Sequence, residues 1–583
     1  MKLKTQTFLV LVLLSMSISS YSQNYDKKND IEKEIIINKK YLNIPLLLDR
    51  NAPKSNMSIK IDGDLLGTFE MPLAQDKEDY YGFIDLSQHL GKILTVELDS
   101  FSRDLQKFTL DDVIKGADNL YMEQYRPQLH FTSRRGWLND PNGLIYYKGE
   151  YHMYYQHNPL SVYWGNLSWG HAVSKDLVHW EEQPVVLFPK SETGTCYSGA
   201  TFIDHNNQLG LKTGEEDALL AFYLRTKIGL CFAYSNDRGQ TMTEFEGNPV
   251  LTHEGARIDT PRPFWFEPTN RWIAPTFDFF TNEDGKKHRC VGFYSSKNLK
   301  DWRFESRVEQ DKGIHELCGC VDFFQLPVDG NTAEKKWIMI FIDGSYIVGT
   351  FNGRTFYTLT GKPASTKDRI QSLVVSGNYY ATMTWHNMPN DRRVQITWMK
   401  TSTKSFPGMP FNQQMTLPSE LTLHLTKDGH RLHMNPIKEL EKLRTKTHRW
   451  NNIVLDKTNN LLSVLNDELY EIEVEFLPRK KSITVLDLRG VKISYNALKE
   501  EISLNEIKTQ LKPEDGKINL QIFIDRTSIE VYANGGKVYM PLINTMPQEN
   551  LNYSILAAQG ESKVKSLKVH ELSSIWFVKE SIK

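Results

Sequence analysis

Much that would narrow the function of so long a chain is missing from it. Charge of either sign is not in excess: 70 Lys and Arg stand against 71 Asp and Glu, a formal net charge of -1. That balance argues against a nucleic-acid partner, which normally leaves a basic surplus. Cysteine is scarce and odd in number, at Cys196, Cys231, Cys290, Cys318 and Cys320, so a disulfide framework is not the main staple. The Cys318-Gly319-Cys320 spacing is too short and too isolated for zinc. No phosphate-cradling glycine loop and no cluster of metal ligands occurs, so neither cofactor nor metal is expected. No bilayer span is expected either. The apolar run at residues 8–14 is far short of the ~20 residues a membrane helix needs. With Lys2 and Lys4 before it and Ser20 and Ser22 after it, the run reads as a secretory signal peptide, residues 1–22. The expected location is then periplasmic or extracellular.

What is present is strand-like. At 583 residues the chain exceeds one core and suggests about three domains. Residues 23–120 alternate apolar and polar in short runs such as Met57-Ser58-Ile59-Lys60-Ile61, which predicts a small accessory β domain. A short helix is expected over 111–125. Residues 450–583 return to short alternating strands, after a charged linker at 428–449. Within them Asp525 and Glu530 look like a carboxylate pair, but residues five apart on one strand face opposite ways. A pairing of Asp525 with Arg526 inside a turn is expected instead.

The middle of the chain, residues 125–427, is periodic. Ser174, Ser235 and Ser296 are spaced 61 residues apart, each closing an apolar run before a polar turn: Ala-Val-Ser-Lys-Asp, Ala-Tyr-Ser-Asn-Asp and Tyr-Ser-Ser-Lys-Asn. The first and third continue alike, as Leu177-Val178-His179-Trp180 and Leu299-Lys300-Asp301-Trp302. A repeat of ~60 residues built from short strands is a propeller blade, and there is room for five.

One stretch in this region suggests chemistry. Trp137-Leu138-Asn139-Asp140-Pro141-Asn142-Gly143 reads locally as a tight turn holding a carboxylate, because Pro fixes φ while Asn, Asp and Gly accept turn geometry. Downstream come Tyr155-Gln156-His157-Asn158-Pro159, Trp164-Gly165-Asn166-Leu167-Ser168-Trp169-Gly170-His171 and Asp176-Leu177-Val178-His179-Trp180. Aromatic platforms beside amides and carboxylates suit a sugar.

In this order the motifs resemble glycoside hydrolase family 32, the invertases, levanases and inulinases. The resemblance implies an all-β chain, a five-bladed β-propeller with a C-terminal β-sandwich. It also implies cleavage of β-fructofuranosyl bonds in fructans with retention of configuration. By that matching Asp140 is the nucleophile, and Asn139, Gln156, Trp164 and Ser198 contact the terminal fructosyl unit. Two acidic motifs depart from the pattern. Where the family has Arg-Asp-Pro before an aromatic pair, this chain reads Asp259-Thr260-Pro261-Arg262-Pro263-Phe264-Trp265, with Thr260 in the place of the aspartate. Where the family has Glu-Cys-Pro-Asp, it reads Gly319-Cys320-Val321-Asp322, with Gly319 in the place of the acid/base. Glu316 and Asp259 are the nearest carboxylates able to assume the two roles. In an extended strand, however, Glu316 would lie ~10 Å from Gly319 on the opposite face. Losing a positioned general acid costs ~10²–10⁴ in rate. The sequence therefore leaves open a fructan hydrolase with relocated acids and a fructan-binding homologue without turnover.

Overall fold

The computed structural model describes residues 31–99, 105–252, 258–281, 285–310, 317–370, 372, 374–375, 377–401, 406–544, 546–547 and 549–576. The signal peptide expected at 1–22 and Glu316 lie outside the described residues. Sheets dominate, and the only helices described are short 3-10 turns.

Five four-stranded antiparallel blades form a propeller. The first runs Gly136–Tyr147, Glu150–Asn158, Ser168–Ser174 and Trp180–Leu187. The second, third and fourth start at Cys196–Ile203, Phe264–Phe266 and Asp322–Val328. The fifth is Tyr380–Thr384, Val394–Trp398, Ser419–Thr426 and Gly429–Pro436. Ring closure comes from Phe411–Asn412, which pairs in parallel with Gly136 and Trp137 of the first blade.

The 61-residue period has a local cause. Ser174, Ser235 and Ser296 each end the third strand of a blade. Each hydroxyl bonds a side chain two residues on: Asp176 at 3.3 Å, Asp237 at 2.6 Å and Asn298 at 3.2 Å. Each is followed three residues later by a left-handed residue, Leu177, Arg238 and Leu299, with φ of 65°, 62° and 62°. The same hydroxyl-capped turn therefore restarts the chain toward the fourth strand each time.

Part of the expected linker, 428–449, is not a connector. Gly429–Pro436 is the outer strand of the fifth blade, its Leu432 and Met434 buried in the core, and only the 3-10 turn Lys438–Leu443 links it to the strand Arg444–Leu455. Turns rather than a helix occupy 112–125. Beyond the propeller, a six-stranded and a five-stranded sheet pack face to face around Ile472, Val474, Leu486, Ile493, Ile522 and Val531.

Before the propeller, a four-stranded and a three-stranded sheet enclose a second apolar core. That core takes in Leu160, Val162 and Phe188 of the first blade. Polar latches flank it: Tyr163 donates to the Leu48 carbonyl at 2.9 Å, and Asn166 and Glu70 exchange two hydrogen bonds at 2.7 and 2.9 Å. The N-terminal sheets thus grip both sides of the loop that carries Trp164.

Candidate active site

The stretch around Asp140 is not a turn. Residues 137–143 lie inside the strand Gly136–Tyr147, which stays paired with Glu150–Asn158 through two register shifts, at 138/141 and 142/145. The turn-forming residues serve as bulges in an inner strand. Gly143, at φ 48°, shows why glycine is needed: a Cβ would lie 2.8 Å from both Thr201 and Tyr154. The kinked strand turns Asp140 toward the second and fourth blades.

Asp140 is 8% exposed and accepts three hydrogen bonds. Asn139 donates to Oδ1 at 3.1 Å and is itself fixed by the Trp137 indole at 2.9 Å. Ser198 and the Cys320 thiol donate to Oδ2 at 2.9 and 3.5 Å. All three donors are neutral. Burial pushes the Asp140 carboxyl above its usual range, and the donors, with the charge of Lys400, only partly offset it. Burial, helped by the charges of Asp140 and Asp259, also holds the Cys320 thiol well above its ordinary range, so its proton is in place to be donated.

Of the residues predicted from sequence, Asn139 and Ser198 touch Asp140 directly. Gln156 is buried; with the Asn142 amide turned to satisfy both its ends, Gln156 donates to it at 3.2 Å. Trp164 is 56% exposed, edge-on to Tyr197 at 6.5 Å. Asp259 is buried, its backbone paired with Phe277, and it lies close enough to raise the Cys320 thiol. Thr260, left-handed at φ 51°, puts its hydroxyl 3.9 Å from the same sulfur. Cys320 thus meets Asp140 on one side and the Asp259–Thr260 pair on the other. Leu317 to Cys320, just before the fourth blade, is a turn with Cys320 at φ 49° rather than an extended strand.

Sequence reasoning overlooked the groups behind this cluster. Asp322 accepts from the Thr384 backbone and hydroxyl at 2.8 and 2.7 Å. Burial opposes its charge, but Arg262, His386 and Thr384 outweigh that and keep its carboxyl below the ordinary range. His386, pushed down to about 4 by burial, is neutral and lies 3.1 Å from the Thr201 carbonyl. Arg262 was visible in the motif itself, two residues after Thr260. Lys400 had no such signal.

Among the described residues no group of three or more His, Cys, Asp or Glu could hold a metal ion, and no helix is long and apolar enough to cross a membrane. All five cysteines are buried free thiols.

Comparison with known proteins gives concordant results. A levanase of Bacillus subtilis (strain 168) is 34% identical over 504 residues, covering 79% of this chain and 72% of the relative. An extracellular exo-inulinase of Aspergillus niger is 25% identical, covering 78% of this chain and 96% of that protein. In fold, the crystal structure of exo-inulinase from Aspergillus awamori matches at a TM-score of 0.68 and 24% identity, over 78% of this chain and all of that one. Residues 130–436, more than half the chain, match the glycosyl hydrolases family 32 N-terminal domain, and 439–571 match the C-terminal one. With both domains matched in order, the chain belongs to glycosyl hydrolases family 32 and is a glycosidase.

Proposed function

We propose that the protein is a secreted or periplasmic hydrolase of β-fructofuranosyl bonds in fructans such as levan and inulin, working with retention of configuration. The observation that carries this is Asp140: a buried carboxylate held by three neutral donors, with no cation in ion-pair contact among the described residues. Such a group is fixed in direction yet poorly solvated, which suits attack on an anomeric carbon. In the retaining cycle Asp140 would form the glycosyl-enzyme intermediate, and a second carboxyl ~5–5.5 Å away would protonate the leaving oxygen and then activate water. We assign that second role to Glu316. Asp259 would hold sugar hydroxyls; Asn139 and Ser198 orient the nucleophile, while Gln156 and Trp164 receive the terminal fructosyl unit. Residues 23–120 act as an accessory domain to the catalytic propeller, 125–427, and 450–583 as a supporting sandwich. The extracellular naming of the exo-inulinase relative supports secretion.

A second reading, fructan binding without turnover, is favoured by one observation: Thr260 and Gly319 stand where the family pattern has its two other acids. The deciding experiment is sugar release from levan, inulin and sucrose by the wild type beside Asp140→Asn. Release that vanishes in the variant supports hydrolysis, and Glu316→Gln then tests the acid. No release by either protein over a day at high concentration, with fructan still bound, establishes the second reading instead.

A further inference from the structure

Four arginines are among the largest fully buried side chains: Arg126, Arg225, Arg262 and Arg489. Three of them show how a buried guanidinium is normally accommodated. Arg126 donates to Glu123, Thr132 and the Ser133 carbonyl. Arg225 donates to Glu244 and to the carbonyls of Phe188 and Gly194. Arg489 donates to the carbonyls of Asn550 and Pro547. Arg262 is the exception. It is 2% exposed, and both Nε and Nη2 are buried with no hydrogen-bond partner. It is also the one of the four at the candidate site, within electrostatic reach of Asp322, Cys320 and Asp140.

An unpaired buried guanidinium is costly, because the three N–H donors on Nε and Nη2 have lost water and gained no hydrogen bond. Native proteins seldom tolerate such a group without a reason. Here two neighbouring positions that carry carboxylates in the family pattern hold Thr260 and Gly319, so Asp322 and Asp140 act on the cation through charge alone and neither hydrogen-bonds it.

We propose that Arg262 is a substrate-binding residue, whose unpartnered guanidinium donates to hydroxyl oxygens of the terminal furanosyl unit seated on Asp140. This rests on the fructan reading above and deepens it. The assignment reverses the polarity of the missing carboxylate, which accepts from sugar hydroxyls rather than donating to them. The reversal has a kinetic consequence. The transition state of glycoside hydrolysis carries positive charge on the sugar ring, so a cation beside it favours the bound ground state over the transition state. Arg262 therefore tightens binding without speeding the chemistry.

The test uses the full chain and two variants. Arg262→Met removes the charge and keeps an unbranched side chain; Arg262→Lys keeps the charge and loses the fork. Fructose binding is measured by calorimetry, melting temperature with and without fructose, and kcat and KM on levan. Arg262→Met is expected to melt no lower than wild type when ligand-free, since it loses no hydrogen bond and the desolvated charge it removes offsets the lost attraction to Asp322. It is expected to bind fructose at least tenfold more weakly, with the loss appearing in KM rather than kcat. Arg262→Lys should recover part of the binding. A ligand-free Arg262→Met that melts well below wild type assigns a structural role and overturns the inference, as does a variant that binds fructose like wild type. Wild type that neither binds fructose nor cleaves levan removes the fructan reading and this inference with it; failure of the variants alone removes only the inference.

Discussion

Two buried carboxylates, Asp140 on the inner strand of the first blade and Asp525 at the seam between propeller and C-terminal sandwich, behave in opposite ways. Each accepts several hydrogen bonds. Asp140 takes its bonds from an amide, a hydroxyl and a thiol, and burial pushes its carboxyl up. Asp525 accepts from the backbone of Gln128 and Leu129, both at 2.8 Å, and from His130 at 2.7 Å. Burial opposes its charge too, but His130 and the two amides outweigh it and hold the carboxyl below its ordinary range. Glu530 meets the other nitrogen of the same ring at 3.0 Å. Burial works against the histidine's charge, yet hydrogen bonding and attraction from both carboxylates raise it to about 9. The difference lies in the partner: a buried carboxylate beside a cation is held ionised, and one held by neutral donors keeps a raised affinity for its proton.

The largest effect expected from this contrast is on Asp140. Asp140→Asn should lower kcat on levan by ~10⁴ or more and leave the melting temperature at pH 7 unchanged or higher, because it removes a poorly solvated charge. If that variant loses several degrees of stability, Asp140 belongs with Asp525 and the contrast fails. Next is His130→Ala, which leaves Asp525 and Glu530 buried without their cation. Urea denaturation should show a loss on the order of 3–5 kcal/mol, with activity per folded molecule retained.

A pH series sharpens the contrast further. The folded pKa of His130, about 9, exceeds the unfolded value of ~6.5. Its stabilisation is therefore complete below about pH 6.5 and is lost as pH rises through about 9, by on the order of 3 kcal/mol; His130→Ala should flatten that fall. Asp140 acts in the other direction. It must be ionised to attack, so kcat/KM should decline on the acid side at a pH above the ~4 of a free carboxyl. The smallest effect is that of Cys320→Ala, which removes one long donor. It should move this acid limb upward and cost only a few-fold in rate, and an unmoved limb would show the thiol to be a bystander.

Sheet content and the blade period were legible in the sequence because each depends on local spacing. Ser174, Ser235 and Ser296 mark the same turn three times, and alternation marks the sandwich strands. Proximity across the chain was not legible. Asp525 and Glu530, five residues apart, reach the same histidine because Asp525 lies outside the strands, at the hairpin between Ile518–Ile524 and Ser528–Ala533. Arg526 meets Asp525 through its backbone N–H, at 2.7 Å, while its guanidinium reaches Glu468 at 2.8 Å. The bulges that turn residues 137–143 from an apparent loop into a strand depend on pairing with Glu150–Asn158, which turn propensity alone does not report. Lys400 and His386 come near the site only when the ring closes.

The latch between the N-terminal sheets and the Trp164 loop bears on how this polypeptide can be taken apart. Leu160, Val162 and Phe188 belong to the propeller by chain but to the leading sandwich by packing. Cutting at the apparent boundary would expose three apolar side chains, each worth ~1.5–3 kcal/mol of burial, and would free the Tyr163 and Asn166 anchors at once. The leading sandwich is therefore no detachable passenger. A shortened version retaining Asp140 and its donors would keep that cluster and lose the stiffness of the loop that holds Trp164 beside it.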